Sequence, residues 1–250
     1  MVRRWAVLPV AALLAAGCSG GRAASPPAAP SVTADPAPPL GGPNTLSDAE
    51  RAAGWRLLFD GRTTANWRGF RQPGVPAGWQ AIDGALTGVG GGGDLITEEQ
   101  FANFEFTIEW QIGEAGNSGI MYRVSEAVEP TFFSGPEFQI IDNARNPGGG
   151  TDVTSAAACY AIYAPSVDVM RPAGSWNQAR ILVDGARVEH WLNGVNVVAF
   201  ELGSAEWLER VSRSMYRDVS TYGREPLGHI ALQDHGDRVA YRAIKIRVLP

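Results

Sequence analysis

Residues 228–237 read GHIALQDHGD, which sets His229 and His235 around Gln233 and Asp234. An imidazole titrates near pH ~6.5, so both histidines can take or give a proton at neutral pH. Strand alternation sorts these residues. Ile230 and Leu232 share a face suited to a core, and His229, Ala231, Gln233 and His235 point the other way. Asp234 falls with the core-facing set but near the strand end, where it fixes a turn or orients a histidine. The same sorting in GPEFQIID sends Phe138 and Ile140 inward and leaves Glu137 and Gln139 together on the opposite face. In GIMYRV, Ile120 and Tyr122 go in and Met121 and Arg123 go out. A buried glutamate with no partner is unfavourable, so Glu137 is expected to face a groove or to pair with Arg123. His190, in VEHWLNG, groups with Val188 and Leu192; this suits a satisfied core histidine, with a catalytic role as the alternative. His229, His235, Asp234 and Glu137 also offer nitrogen and oxygen donors to a divalent metal ion, although their spacing matches no strong zinc signature. A structural calcium held by backbone carbonyls is a second metal reading.

For these tips to converge, strands must carry them. From Trp55 onward, runs such as FEFTIEWQI, SGIMYRV, PEFQII, ARILVDG and GHIALQD alternate apolar with polar residues between Gly, Asn, Asp and Pro breaks. That period of two marks strands with one covered face. Helical patterning is confined to SDAERAAG (47–54), with Ser47 as cap and Glu50 three residues on, and SAEWLERVSRSMY (204–216), with Ser204 as cap. In ILVDGARVEHWLNGVNVVAFEL, DG (184–185) and NG (193–194) punctuate three strands as hairpin turns. The expected fold is all-β: a concanavalin-like jelly-roll sandwich of two curved antiparallel sheets with one or two short helices. Such folds commonly bind sugars on a concave face, where Trp191 and Tyr163 would stack on a sugar ring or else simply pack. The glycine run at 88–93 has no P-loop lysine and no following helix, so it reads as a flexible loop beside the groove.

The chain of 250 residues opens with MVRRWAVLPVAALLAAG, two arginines and a short apolar run. Residues 1–17 read as a signal peptide of lipoprotein type, with Cys18 in LLAAGCSGG as the lipidated first residue. Residues 18–46, rich in Ala, Pro, Gly and Ser, read as a disordered tether, and 47–250 as the folded domain. The expected location is the bacterial cell envelope, anchored by lipid to a membrane surface. Without Arg3 and Arg4 the chain carries 19 basic and 26 acidic residues, net −7, and Lys245 is its only lysine. No basic stripe appears, which argues against nucleic acid as a partner. If Cys18 is lipidated, Cys159 stands alone, so neither a disulfide nor a cysteine zinc site can be built.

Six segments then appear in one order: GWRLLFDGRTTANWRGF, GDLITEEQFANFEFTIEWQI, GNSGIMYRV, GPEFQIIDN, GSWNQARILVDGARVEHWLNG and GHIALQDHGDRVAYRAIKIR. Together they resemble the 3-keto-disaccharide hydrolase domain family over nearly all of 54–249. Departures fall at Met215, where family members often carry Lys, at Ala161, where an acid often follows the tyrosine, and at Ala243. The resemblance implies cleavage of glycosides already oxidised to a ketone at sugar C3. Such a ketone acidifies the C2 hydrogen, so a base can remove it and the C1–oxygen bond breaks by elimination, with water adding afterwards. That route needs a base titrating near neutrality, a group that holds the enolate oxygen and an acid for the leaving oxygen. The residues expected to serve are His229, His235, Glu137 and His190 for proton transfer, and Arg123, Gln139, Gln233, Tyr163 and Trp191 for the substrate. The rival readings are a non-catalytic carbohydrate-binding module on a lipid tether and an envelope scaffold domain.

Overall fold

The structure is a computed structural model that describes residues 42–150 and 152–250. The expected signal segment, Cys18 and the tether as far as residue 41 lie outside the described residues. Thirteen strands follow in chain order: β1 (Trp55–Leu57), β2 (Trp67–Gly69), β3 (Trp79–Ile82), β4 (Ala85–Gly88), β5 (Leu95–Thr97), β6 (Phe104–Ile112), β7 (Asn117–Val124), β8 (Glu137–Ile141), β9 (Asn177–Asp184), β10 (Arg187–Leu192), β11 (Val195–Glu201), β12 (His229–Leu232) and β13 (Val239–Val248). They form two antiparallel sheets of a jelly-roll sandwich. The larger runs β11-β10-β9-β6-β13-β4-β3, with β1 pairing to β13; the smaller runs β2-β5-β12-β7-β8.

Two short helices match the capping signals. Helix α1 (Asp48–Ala52) has a reciprocal box in which the Glu50 amide donates to Ser47 Oγ at 3.2 Å and the Ser47 amide to Glu50 Oε2 at 2.7 Å. Helix α2 (Ala205–Ser212) is capped by Ser204, whose Oγ accepts from the Trp207 amide at 3.1 Å. The NG turn closes the β10–β11 hairpin with Asn193 and Gly194 both in the left-handed region, the geometry a two-residue hairpin loop favours.

In the larger sheet the long strand β6 alternates between core and outer face. On β6, Phe104, Phe106, Ile108, Trp110 and Ile112 enter the inter-sheet core. Between them, Glu105 and Glu109 stay on the outer face, where Arg180 donates to Glu105 at 2.5 Å and Arg242 to Glu109 at 2.7 Å. The smaller sheet behaves differently. Strands β8 and β12 are buried at every position, and β7 at all but its first. A sheet buried on both faces needs a cover on each side. On its outer face, Ile96, Met121, Val124 and Ala231 form a second apolar cluster, covered by Phe70 and Phe132. Segment 125–136, which carries Phe132, therefore lies across that face.

One irregularity decides where side chains go. Val124 pairs with His229 and Met121 with Ala231, so Tyr122 and Arg123 together face the single residue Ile230. This is a β-bulge, and Arg123 adopts φ +53 to make it. The bulge resets the alternation, so Met121 and Val124 share the outer face and Tyr122 stays inside.

Candidate active site

Glu137 opens β8 and pairs with Met121 of β7. Phe138 goes into the core, which turns Glu137 outward, as alternation predicts. Its carboxyl lies over Gly119: a Cβ there would sit 2.0 Å from Glu137 Oε1, so only glycine leaves room. Glu137 is 3% exposed, and its carboxyl makes no hydrogen bond or ion pair among the described residues. Burial first, and then the charge of Asp94, push it up to about 8. A carboxylic acid in this position keeps its proton at neutral pH.

Asp94 immediately precedes β5. Thr131 Oγ1 donates to its Oδ2, and the Asp234 amide donates to its Oδ1 at 2.9 Å. On balance burial raises its proton affinity, and these two donors, which favour the carboxylate, offset only part of that rise. Glu137 has no such donor. The two carboxyls therefore titrate apart, with Asp94 ionising first and Glu137 keeping its proton.

Their neighbours complete a polar patch. Gln139 follows Glu137 on the same face of β8, and its Oε1 accepts from the Ile140 amide at 3.1 Å. Beside β8 runs an irregular strand-like segment: the Tyr160 amide donates to Glu137 O at 3.0 Å and the Gln139 amide to Ala158 O at 3.1 Å. Cys159 thereby pairs with Phe138 in the core, and half-buried Tyr160 lies beside Glu137. Burial and the Glu137 charge raise the Tyr160 phenol. Gln233 extends β12, its amide donating to Gly119 O at 2.9 Å. Asp234 Oδ2 accepts from the amides of Gly92 and Gly93 at 2.6 and 2.9 Å, which ties the glycine loop to this rim. Asp234 thus fixes backbone, the turn role expected for it.

The structure brings Glu137, Gln139 and Gln233 together as expected and sends other expected residues elsewhere. His229 is buried, with Nδ1 2.7 Å from Thr97 O and Nε2 3.0 Å from Gln100 Nε2. It braces the strand ends, and burial lowers its proton affinity. His235 stands on the exposed loop after β12, 4.0 Å from Asp237, at the rim of the patch. His190 is a core histidine, as its grouping with Val188 and Leu192 indicates. Its two nitrogens lie 3.0 Å from Tyr122 OH and 3.0 Å from Ala157 O, and burial lowers it to about 4. Arg123 does not meet Glu137. The bulge turns it to the end of the sandwich, where Nη2 donates to Ala102 O and Gly185 O, each at 2.9 Å. Tyr163 stacks on Phe200 at 4.9 Å inside the core, with Arg210 over its ring. Trp191 lies on the outer face of the other sheet beneath Arg180, at 4.6 Å. Neither ring faces the patch. The four expected metal donors are likewise dispersed, and among the described residues no three His, Cys, Asp or Glu side chains gather as a metal site requires. The residues that sequence reasoning missed are Asp94, Thr131, Tyr160 and Gly119.

Two surface cavities lie away from this patch. One, of about 300 Å³, is lined by Glu114, Asp142, Arg145 and Asp168; the other, of about 330 Å³, by Ala161, Glu206, Arg210 and Arg213. Their charges are already satisfied: Glu114 pairs with Arg145, Glu206 with Arg210, and Asp142 Oδ2 accepts from the Ala115 amide. The unpaired buried acid is the stronger sign of chemistry.

Comparison with known proteins agrees with the fold and identifies the relatives. A curated 3-keto-disaccharide hydrolase of Bacteroides thetaiotaomicron is 32% identical over 213 residues, covering 72% of this chain and 73% of that protein. A crystal structure of a candidate glycosyl hydrolase from Parabacteroides distasonis superposes with a TM-score of 0.79 at 34% identity, covering 83% of this chain and all of that one. A second candidate glycosyl hydrolase from the same organism gives 0.60 at 27% identity. Residues 54–247 match the model of one family, so the chain belongs to the 3-keto-alpha-glucoside-1,2-lyase-like domain family.

Proposed function

We propose that this carbohydrate-active domain cleaves glycosides whose sugar carries a ketone at C3, with Asp94 as base and Glu137 as acid. The ketone acidifies the C2 hydrogen. Asp94, ionised, takes that proton, and Glu137, protonated, gives its own to the leaving oxygen as the C1–O bond breaks. The electron pair of the C2–H bond becomes the C1–C2 double bond of an enone. Water then adds, hydroxyl to C1 and a proton from Asp94 to C2, while the other water proton restores Glu137. In this reading the Gln139 amide and the Tyr160 phenol donate to the developing enolate oxygen. The observation that carries the reading is the proton-bearing, unpartnered Glu137 beside a carboxylate with two hydrogen bonds. The binding-module alternative has weaker support, because the rings expected as platforms face other residues.

The test supplies the protein with a chromogenic 3-keto-glucoside and with its unoxidised parent. Release from the keto form alone is expected; equal release from both, or binding without release, rejects the proposal. The same reading places the domain at the cell envelope through Cys18. Replacing Cys18→Ala should then move the protein from the membrane fraction to the soluble one.

A further inference from the structure

The outer face of the smaller sheet is divided. One part carries the polar groups, Glu137 and Gln139 of β8, Gln233 at the end of β12 and Asp94 at the start of β5, with half-buried Tyr160 beside them. On the other, Phe132 packs on Ile96, Met121, Val124 and Ala231, which come from three adjacent strands and are all 0% exposed. The residue before Phe132 is Thr131, which donates to Asp94. Phe132 therefore stands directly beside the base of the reaction proposed above.

The segment that carries it is anchored at its far side. Arg68 of β2 grips Glu126 with both ends of its guanidinium, at 2.7 and 2.6 Å. The Arg71 amide donates to Glu126 Oε1 at 2.9 Å, and its Nε to Glu126 O at 2.7 Å. Arg68 and the Arg71 amide hold the Glu126 carboxyl down at about 2, so these links persist across the working pH range. A segment tied this firmly acts as a fixed wall.

We propose that Phe132 is a specificity-determining residue: it forms the end wall of the substrate site, so that the keto-sugar must be the terminal unit of the glycoside. This rests on the assigned chemistry of Asp94 and Glu137. A sugar seated at the acid pair meets Phe132 on one side, and its leaving group runs out on the other, between Tyr160, Gln233 and His235. A polymer with its ketone on an internal ring would need to pass through the strip that Phe132 fills.

The experiment compares two trisaccharides, one with the ketone on its terminal ring and one with it on the middle ring, for the parent, Phe132→Ala and Phe132→Leu. The parent is expected to cleave only the terminal form well. Phe132→Ala should narrow that preference by about tenfold, the scale set by apolar contacts in a pocket, and Phe132→Leu should fall between. If Phe132→Ala fails to fold, Phe132→Leu alone decides. An unchanged preference in a folded variant overturns the proposal. If the parent cleaves neither keto form, the assigned chemistry falls instead. Calorimetric binding of unreactive linear glucose oligomers then decides the wall: affinity should rise with length in Phe132→Ala and not in the parent, and identical length profiles overturn it.

Discussion

Asp94 and Glu137 differ in one physical respect: the first keeps hydrogen bonds that favour its charge, and the second has none. That difference assigns base and acid without a third group. It also couples them, because the Asp94 charge raises Glu137. Asp94→Asn removes both the base and that repulsion. Activity should fall by about 10²-fold or more. In the residual activity, the alkaline limb that reports Glu137 should shift to lower pH. A pH–rate profile of the variant checks this, and a limb that stays in place or moves up contradicts the coupling.

Two elements set the positions of these groups, and each shows what the sequence reveals. Alternation on β8 correctly separates Phe138 from Glu137, because both neighbours of this strand run in register. On β7 the same rule holds for Ile120, Met121 and Tyr122 and fails at Arg123, where the bulge shifts the phase and nothing in GIMYRV announces an extra residue. Asp94 is hidden in the sequence for a different reason. Strand β5 has only three residues, too few for a period, so the acid at its start had no face to be assigned to. His229 has the outward placement expected of it, but a carbonyl and an amide already occupy its ring nitrogens, and partners that distant in sequence cannot be read from a strand pattern. Gly119 is the most specific tie between β7 and the site. Gly119→Ala places a methyl 2.0 Å from Glu137 Oε1. Because the backbone there needs no left-handed conformation, folding should survive with a loss of about 1–2 kcal/mol, while Glu137 must swing away. Activity should then drop by about 10²-fold or more. A variant as active as the parent would show that the carboxyl does not work from above Gly119.

Across the molecule, the buried groups set a pH dependence of stability whose sign is fixed. Glu126 is held at about 2, below its usual 4.5, so its contribution is present above pH 4.5 and is lost as pH falls toward 2. His190 is held at about 4, below 6.5; its contribution is complete above pH 6.5 and is lost as pH falls toward 4. Glu137 acts in the opposite sense. With its proton retained up to about 8 rather than 4.5, it favours the native state at low pH, and that advantage is lost as pH rises to 8. Between 4.5 and 6.5 the histidine and the glutamate oppose each other, and above 6.5 Glu137 acts against stability unopposed. The melting temperature should therefore rise up to about pH 4.5, stay level to about pH 6.5 and fall toward pH 8. In Glu137→Gln that fall should vanish, leaving the variant more stable than the parent at pH 8. A variant less stable than the parent at pH 8 would mean that the carboxyl holds the fold together.

The chemistry assigned to the patch turns on one bond, the C2–H bond of the keto-sugar. Its cleavage is read directly by comparing kcat/KM for a 3-keto-glucoside with hydrogen and with deuterium at C2. Proton abstraction by Asp94 requires the deuterated substrate to react more slowly, with label lost to solvent only to the extent that the Asp94 carboxyl exchanges before it returns its proton to C2. Equal rates would mean that the glycosidic bond breaks by direct displacement and that the carboxyl pair has been given the wrong task.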